Sequence, residues 1–169
     1  MRTAVRSVHR ERTLGGPMSD ANDVVDRFYT MWAERDLDLA YELFEPDFRA
    51  VPIAHEARWQ GQGPASMRHH TLSWLLGMPD LRMTELRRVR QADTVVSHWE
   101  MAGIHKGDLY GVPATGLRLR CEGVTWFVVR GERIVELRTS FDALGFLQQL
   151  GVLPDSAAIL ASIANSSRP

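Results

Sequence analysis

The residues best suited to chemistry lie near the end of the sequence, where charged side chains recur at every second position. If residues 133–142 form a strand, alternation places one set on the same face: Ile134, Glu136, Arg138, Ser140 and Asp142. A cavity wall would show this pattern, and a carboxylate in it could remove and return a proton while Glu136 and Arg138 bind the ligand. A solvent-exposed face would show it as well, and Asp142 would then cap the next helix. Asp142 is therefore a candidate acid/base, with an N-cap as the alternative.

One histidine stands where a strand would deliver it to the end of a cavity. His105 directly follows a run whose alternate residues are Trp99, Met101 and Gly103. There its imidazole could donate a hydrogen bond to an enolate oxygen as negative charge develops on that oxygen. A loop histidine without a catalytic role would occupy the same place in the sequence. Both interpretations of His105 stay open.

Patterns for metal or cofactor binding are missing from the sequence. His98 and Glu100 do not converge with another ligand, and His69 and His70 are adjacent rather than at the spacing that shares one helix face. The single cysteine, Cys121, lies inside a predicted strand and is expected to be an inert core residue. The glycine-rich segment 107–116 lacks the strand-to-helix context of a phosphate loop. We therefore expect no metal site and no phosphate-binding loop.

Three helices come before these residues in the chain. Apolar residues at spacings of three and four follow the capping candidates Ser19 and Asp20, which indicates a first helix. A short second helix ends at Pro46, and residues 48–52 form a short extended segment. The loop 61–64 precedes a third helix, from about residue 65 to residue 76.

From Leu81 the apolar period changes to two, which predicts strands near 81–90, 94–104, 117–129 and 133–142. Residues 141–150 then return to a helical pattern. Helices followed by a run of antiparallel strands predict an α+β fold, with the helices packed on one face of a curved sheet.

Length and composition bound the remaining possibilities. The chain has 169 residues, 44% of them hydrophobic, so a single domain is expected, which we place at 18–154. Residues 1–17 are basic and without an apolar period, which predicts a disordered extension or an upstream start before Met18, and residues 155–169 form a Ser/Ala-rich tail. The formal net charge is -1 and no run of Lys and Arg occurs, which argues against nucleic acid as a partner.

Four segments, in their order and spacing, resemble the SnoaL-like polyketide cyclase family across about residues 20–152. They are Phe28-Tyr29-x-x-Trp32 with Leu43-Phe44-x-Pro46-Asp47-Phe48; Met78-Pro79-Asp80-Leu81; segment 103–116, which opens with Gly103-Ile104-His105-Lys106-Gly107; and segment 142–151, which contains Gly145-Phe146-Leu147-Gln148-Gln149-Leu150-Gly151. The order of elements also resembles the cone-shaped fold of ketosteroid isomerase, scytalone dehydratase and nuclear transport factor two. The resemblance implies a curved antiparallel sheet wrapped by three N-terminal helices, an α+β barrel.

The resemblance also implies an activity. It is that of a cofactor-free polyketide ester cyclase, which closes the last ring of an anthracycline-type polyketide by an intramolecular aldol reaction in secondary metabolism. The family's catalytic aspartate falls on Asp142 and its histidine on His105, whereas Thr125 stands where the cyclases have a second active-site histidine. Because of that departure, hydroxylation, epoxide opening and pyran closure are alternatives, and so is a non-catalytic small-molecule binding module.

A flat polycyclic substrate favours aromatic and methionine walls, although most aromatic residues in a chain of this size simply belong to the core. The candidate wall residues are Trp74, Met78, Trp99 and Trp126, with Tyr41 and Tyr110 as hydroxyl donors. We expect an enclosed cavity of roughly 300–1,000 Å³ that opens near Asp142, which is the usual range for small-molecule sites.

The expected partner, besides a small-molecule substrate, is a second copy of the chain. Predicted strands 94–104 and 117–129 are apolar on both faces, as Trp126 and Phe127 illustrate, so the outer face should pair in a homodimer or homotetramer. No apolar stretch is long enough to cross a bilayer, and a single cysteine is typical of a reducing compartment. We therefore expect no membrane and a cytoplasmic location.

Overall fold

The computed structural model describes residues 20–52 and 61–166. The predicted extension 1–17 and the capping candidate Ser19 lie outside these residues.

Among the described residues, four helices form where apolar spacing and capping residues predicted them, and another forms within the predicted C-terminal tail. Their bounds are α1 Ala21–Glu34, α2 Leu39–Leu43, α3 Gly63–Gly77, α4 Ala143–Gln149 and α5 Ser156–Ser166. Asp20 begins α1 with a capping box shared with Asp23, and Arg35 ends it in the left-handed conformation. The α5 helix lies in the predicted tail and contains no buried residue.

Five strands form one open, curved sheet in the order β1-β5-β4-β3-β2. Their bounds are β1 Phe44–Pro52, β2 Arg82–Gln91, β3 Thr94–Ile104, β4 Arg118–Arg130 and β5 Arg133–Phe141. The predicted α+β class is confirmed, but the sheet is not wholly antiparallel, because β1 pairs parallel to β5. The extended segment predicted at 48–52 is the end of this edge strand.

The helices cover the concave inner face of the sheet. Helix α1 packs across β2, β3 and β4, while α3 packs against β1 and α2. On β3 and β4 every second residue points inward and is buried, from Val95 to Gly103 and from Leu119 to Val129. The core therefore lies between α1, α3 and the inner face.

A β-bulge in β5 reverses the predicted assignment of its faces. Val128 pairs with Glu136 whereas the next residue, Val129, pairs with Ile134, so β5 has one extra residue at this point. Because an extra residue shifts the alternation by one, Leu137 is buried after the bulge although Ile134 is buried before it. The prediction that Glu136, Arg138, Ser140 and Asp142 share an inward face with Ile134 is wrong.

Candidate functional site

A small cavity lies between the helices and the inner face of the sheet. Its volume is about 50 Å³, well below the predicted range, because tryptophan and methionine side chains turn inward and fill the interior. Room of this size suits about three or four water-sized groups. The lining residues come from α1, α3 and all strands except β1: Phe28, Trp32, Met67, His70, Trp74, Met83, Trp99, Met101, Thr125, Leu137, Thr139 and Phe141.

His70 is the titratable side chain among these lining residues. Burial lowers the pKa of His70 to about 4, and the adjacent His69 adds a smaller effect in the same direction. The imidazole is therefore neutral near pH 7. A neutral imidazole is a weak base but an effective hydrogen-bond donor toward an oxygen that becomes negatively charged.

Two threonine hydroxyls form the polar part of the cavity wall on the sheet. The Trp99 indole Nε1–H donates to Thr125 Oγ1 at 2.8 Å, and Thr125 Oγ1 lies 2.9 Å from Thr139 Oγ1. Gly123, opposite Trp99 on β4, makes this arrangement possible, because a Cβ there would overlap the indole ring. The tryptophan and both threonines are thereby fixed relative to one another.

Asp142 caps α4 instead of lining the cavity. Its Oδ1 accepts a hydrogen bond from the Gly145 backbone amide at 2.8 Å, and its side chain is exposed. Gly145 leaves room for the carboxylate, since a Cβ there would overlap Oδ2. The N-cap alternative is what the structure shows, although Asp142 directly follows the cavity-lining Phe141.

His105 is buried and fastens the loop that follows β3. Thr115 donates its backbone N–H to His105 Nδ1 at 3.3 Å, and its hydroxyl lies 3.0 Å from the same nitrogen. The His105 backbone also bonds to Gly116 and Leu117, so both ends of the loop are closed at this residue. His105 is not among the residues that line the cavity.

Two of the predicted wall residues, Trp74 and Trp99, line the cavity. Tyr110 does not line it and is 60% exposed. Its ring packs edge-on against Trp74, with the two ring centroids 5.5 Å apart. Trp74 also packs against Phe141 and Phe146, with distances between ring centroids of 6.5 Å and 5.4 Å. This aromatic cluster, Trp74, Tyr110, Phe141 and Phe146, closes one side of the cavity.

The other predicted substrate-binding residues lie elsewhere. Met78 is buried after α3 against Gly103, and Tyr41 is exposed on α2. Trp126 belongs to the outward set of β4, while Glu136 and Arg138 pair with each other at 2.8 Å on the outer side of β5. The outward positions of Trp126, Glu136 and Arg138 follow from the alternation of residues along a strand, which the bulge shifts by one residue for Glu136 and Arg138.

His70 is the cavity residue that the sequence analysis missed. It lies three residues after Met67 and four before Trp74, and all three line the cavity. That spacing places residues on one helix face, so a test of α3 for polar residues within its apolar stripe would have found it.

A second buried polar cluster ties α1 to the sheet outside the cavity. The Tyr29 hydroxyl lies 2.6 Å from Ser97 Oγ, which donates to Glu85 at 2.5 Å, and Arg88 binds both oxygens of Glu85. Burial raises the pKa of Tyr29 to about 12, so its hydroxyl stays protonated. Each group has a partner within the cluster, and we interpret it as structural.

The remaining reactive groups do not form a site. Burial raises the pKa of the Cys121 thiol to about 12, with smaller contributions from the negative charges of Asp142 and Glu100. Within residues 20–52 and 61–166, no cluster of three or more His, Cys, Asp or Glu side chains could hold a metal ion.

Taken together, the helices wrapped on a curved open sheet and the apolar cavity between them define the cone-shaped α+β class. Residues 22–150 match the family model of the SnoaL-like polyketide cyclases. The chain belongs to this family.

Solved structures share the fold. A protein of Jannaschia sp. CCS1, assigned as a SnoaL-like polyketide cyclase, is 21% identical with a TM-score of 0.71, over 83% of this chain and 98% of that one. AclR of Streptomyces galilaeus, assigned as a hydroxylase, is 21% identical with a TM-score of 0.71, and the match covers 89% of this chain and 94% of AclR. IdmH of Streptomyces antibioticus, assigned as a polyketide cyclase, is 26% identical with a TM-score of 0.66, over 79% and 99%.

A comparison with curated proteins finds no significant match. Of the helices that the structure describes, none has the length and apolar character needed to cross a membrane.

Proposed function

We propose that this chain is a cofactor-free polyketide cyclase that closes a ring by an intramolecular aldol reaction on a polycyclic aromatic polyketide ester. The observation that carries the proposal is the cavity itself. Aromatic and methionine side chains surround one neutral imidazole, His70, and the hydroxyls of Thr125 and Thr139. Such a wall suits an unsaturated carbonyl compound in which negative charge passes through an oxygen.

The proposed reaction needs one proton acceptor and one donor to oxygen. A base removes a proton alpha to a carbonyl, the resulting enolate carbon bonds to a second carbonyl carbon, and the alkoxide takes the proton back. Asp142 is the proposed base, because it is the aspartate that the family resemblance implies and it follows the cavity-lining Phe141. His70 is the proposed donor to the developing oxyanion, a role first assigned to His105.

The size of the cavity limits what it holds in this reaction. A space of about 50 Å³ accepts the reacting carbonyl but not a fused ring system. The rings of the substrate would therefore displace Tyr110 and Trp74 and stack on Phe141 and Phe146. The reacting carbon would then lie at the edge of the cavity, on the side of Phe141 and Asp142.

Turnover of aromatic polyketide esters by single variants tests this proposal. Asp142→Asn keeps the N-cap, since Asn caps as well as Asp, but removes the proton acceptor, so kcat should fall on the order of 10²-fold or more. His70→Phe should also lower kcat with a smaller change in KM. Asp155→Asn is the matched control, because Asp155 caps α5 in the same way and is expected to leave kcat unchanged.

Product mass separates aldol ring closure from hydroxylation and from epoxide opening by water. Aldol ring closure leaves the substrate's elemental composition unchanged, whereas hydroxylation adds one oxygen atom and opening of an epoxide by water adds one water molecule. Full turnover by Asp142→Asn would show that this residue is only a helix cap. Binding of polyketides without any turnover by the unmodified chain would instead favour a binding module.

A further inference from the structure

Hydrogen-bond donors outnumber their partners on the sheet side of the cavity. The Trp99 indole, the Thr125 hydroxyl and the Thr139 hydroxyl bring three donor hydrogens, and the structure joins them by two hydrogen bonds. The indole can only donate, and each hydroxyl carries one hydrogen. Whichever way the two hydroxyls orient, one hydroxyl hydrogen has no acceptor among the hydrogen bonds of residues 20–52 and 61–166.

Trp32, another residue of the cavity wall, also has an unmatched donor. Its side chain is 4% exposed and lines the cavity, and its Nε1–H has no acceptor within the described parts of the chain. A buried N–H without a partner costs roughly 1–3 kcal/mol, so a ligand that supplies an acceptor recovers this cost.

This excess of donors selects the chemistry of the ligand. Apart from His70, whose neutral imidazole has one donor and one acceptor nitrogen, the rest of the wall is mostly aromatic and methionine side chains, which offer no strong acceptor. A ketone oxygen accepts two hydrogen bonds and brings no hydrogen of its own. An alcohol or an ammonium group would add donors to a wall that already has too many.

We propose that Thr139 and Trp32 form a binding site for a single ketone or enolate oxygen inside the cavity. Thr139 is the less buried of the two threonines and donates to the ligand, while Thr125, held by Trp99, is the positioning residue behind it. This inference rests on the proposed function in one point only: the bound ketone would be one of the two carbonyls that react.

The experiment compares acetone with propane, which differ by the carbonyl oxygen and are small enough for a cavity of about 50 Å³. Binding to the full chain is measured from the 13C-methyl NMR signals of Met67, Met83 and Met101, which line the cavity. The readout is the ratio of the two dissociation constants. Thr139→Val removes the hydroxyl and puts a methyl group in its place, so the preference for the ketone should fall about tenfold, the value of one hydrogen bond.

Matched variants separate recognition from a loss of packing. Thr139→Ser keeps the hydroxyl and should keep the ratio, whereas Trp32→Phe should lower it by a similar factor. Thr125→Val tests the positioning role by the infrared carbonyl stretch of bound acetone labelled with 13C at the carbonyl carbon. The stretch should shift less from its value in apolar solvent, because Thr139 is no longer held and polarised by Thr125.

The outcomes decide the proposal independently of catalysis. An equal ratio in the unmodified chain and in Thr139→Val, or no binding of either probe, would overturn it. A ketone preference that depends on Thr139 in a chain that turns over no polyketide would support this inference and refute the proposed function. Ring closure that Thr139→Val leaves unaffected, in a chain that shows no preference for the ketone, would support the proposed function and refute this inference.

Discussion

At the scale of single residues, the burial of His70 couples the cavity to pH. The pKa of this imidazole falls from its ordinary value of 6.5 to about 4 on folding, because the cavity disfavours its charged form. Between these two values the unfolded chain binds a proton that the folded chain does not. Folding stability is therefore fully present above about pH 6.5 and decreases as the pH falls toward 4, by at most about 1.4 kcal/mol per pH unit from this residue.

Urea unfolding between pH 4.5 and pH 7 measures this effect. His70→Phe should flatten the dependence of the unfolding free energy on pH over that range. His69→Gln is the matched control, since His69 is exposed on the same helix and should leave most of the slope in place. An identical slope in His70→Phe and the unmodified chain would contradict the assignment of the buried charge to His70.

At the scale of elements, sequence periodicity was sufficient to predict helices α1 to α4 and the three antiparallel strand pairings from β2 to β5. It could not supply the parallel pairing of β1, because that contact joins residues 44–52 to 134–139 and leaves no local signal. It also missed the bulge in β5, since one extra residue near Val135 changes which residues face inward without changing the composition of the strand.

The same limit explains which site residues were found. Trp74 and Trp99 were predicted because large aromatic residues usually turn inward, while Trp126, also a tryptophan, lies on the outer face by parity alone. His70 was missed because a polar residue in an apolar helix stripe weakens the pattern that would identify the stripe. Cavity volume depends on rotamers, which no sequence pattern specifies.

The contact between β3 and β4 at Gly123 gives a prediction at this scale. Gly123→Ala places a methyl group against the Trp99 ring and close to the Ser140 carbonyl oxygen, so the indole must move and its bond to Thr125 is lost. Overpacking of this kind costs about 1–3 kcal/mol. Chemical denaturation should show that loss, and the near-ultraviolet circular dichroism of the indole should change.

A double variant identifies the cause. In the background of Trp99→Phe the smaller ring leaves room at position 123, so Gly123→Ala should cost less there than in the unmodified chain. Costs that simply add would show that the methyl group acts through the strand backbone and not through Trp99.

At the scale of the whole molecule, the two faces of the curved sheet differ in how they are covered. The helices cover the inner face, and the small cavity lies between them and the sheet, beside the aromatic cluster. A sheet with solvent on one side normally carries polar residues there. The outer face follows this rule over most of its area, where His98, Glu100, Arg120 and Glu122 form hydrogen bonds and ion pairs. A groove near one end of it is partly apolar, with Val89, Val96 and Trp126 beside Arg90, Gln91 and Thr94.

The apolar part of this groove predicts a homodimer or homotetramer. Val89 is 64% exposed and Trp126 39% exposed on the isolated chain, and a second copy would bury both. In an isologous contact each substitution acts twice, so Trp126→Glu places two charges in one apolar interface and should yield monomers. Light scattering coupled to size-exclusion chromatography at micromolar concentration measures the mass.

Tyr41→Glu is the control, since Tyr41 is also an exposed aromatic residue but lies on α2, and the oligomer should persist. A monomeric unmodified chain, or an oligomer that survives Trp126→Glu, would contradict this interface.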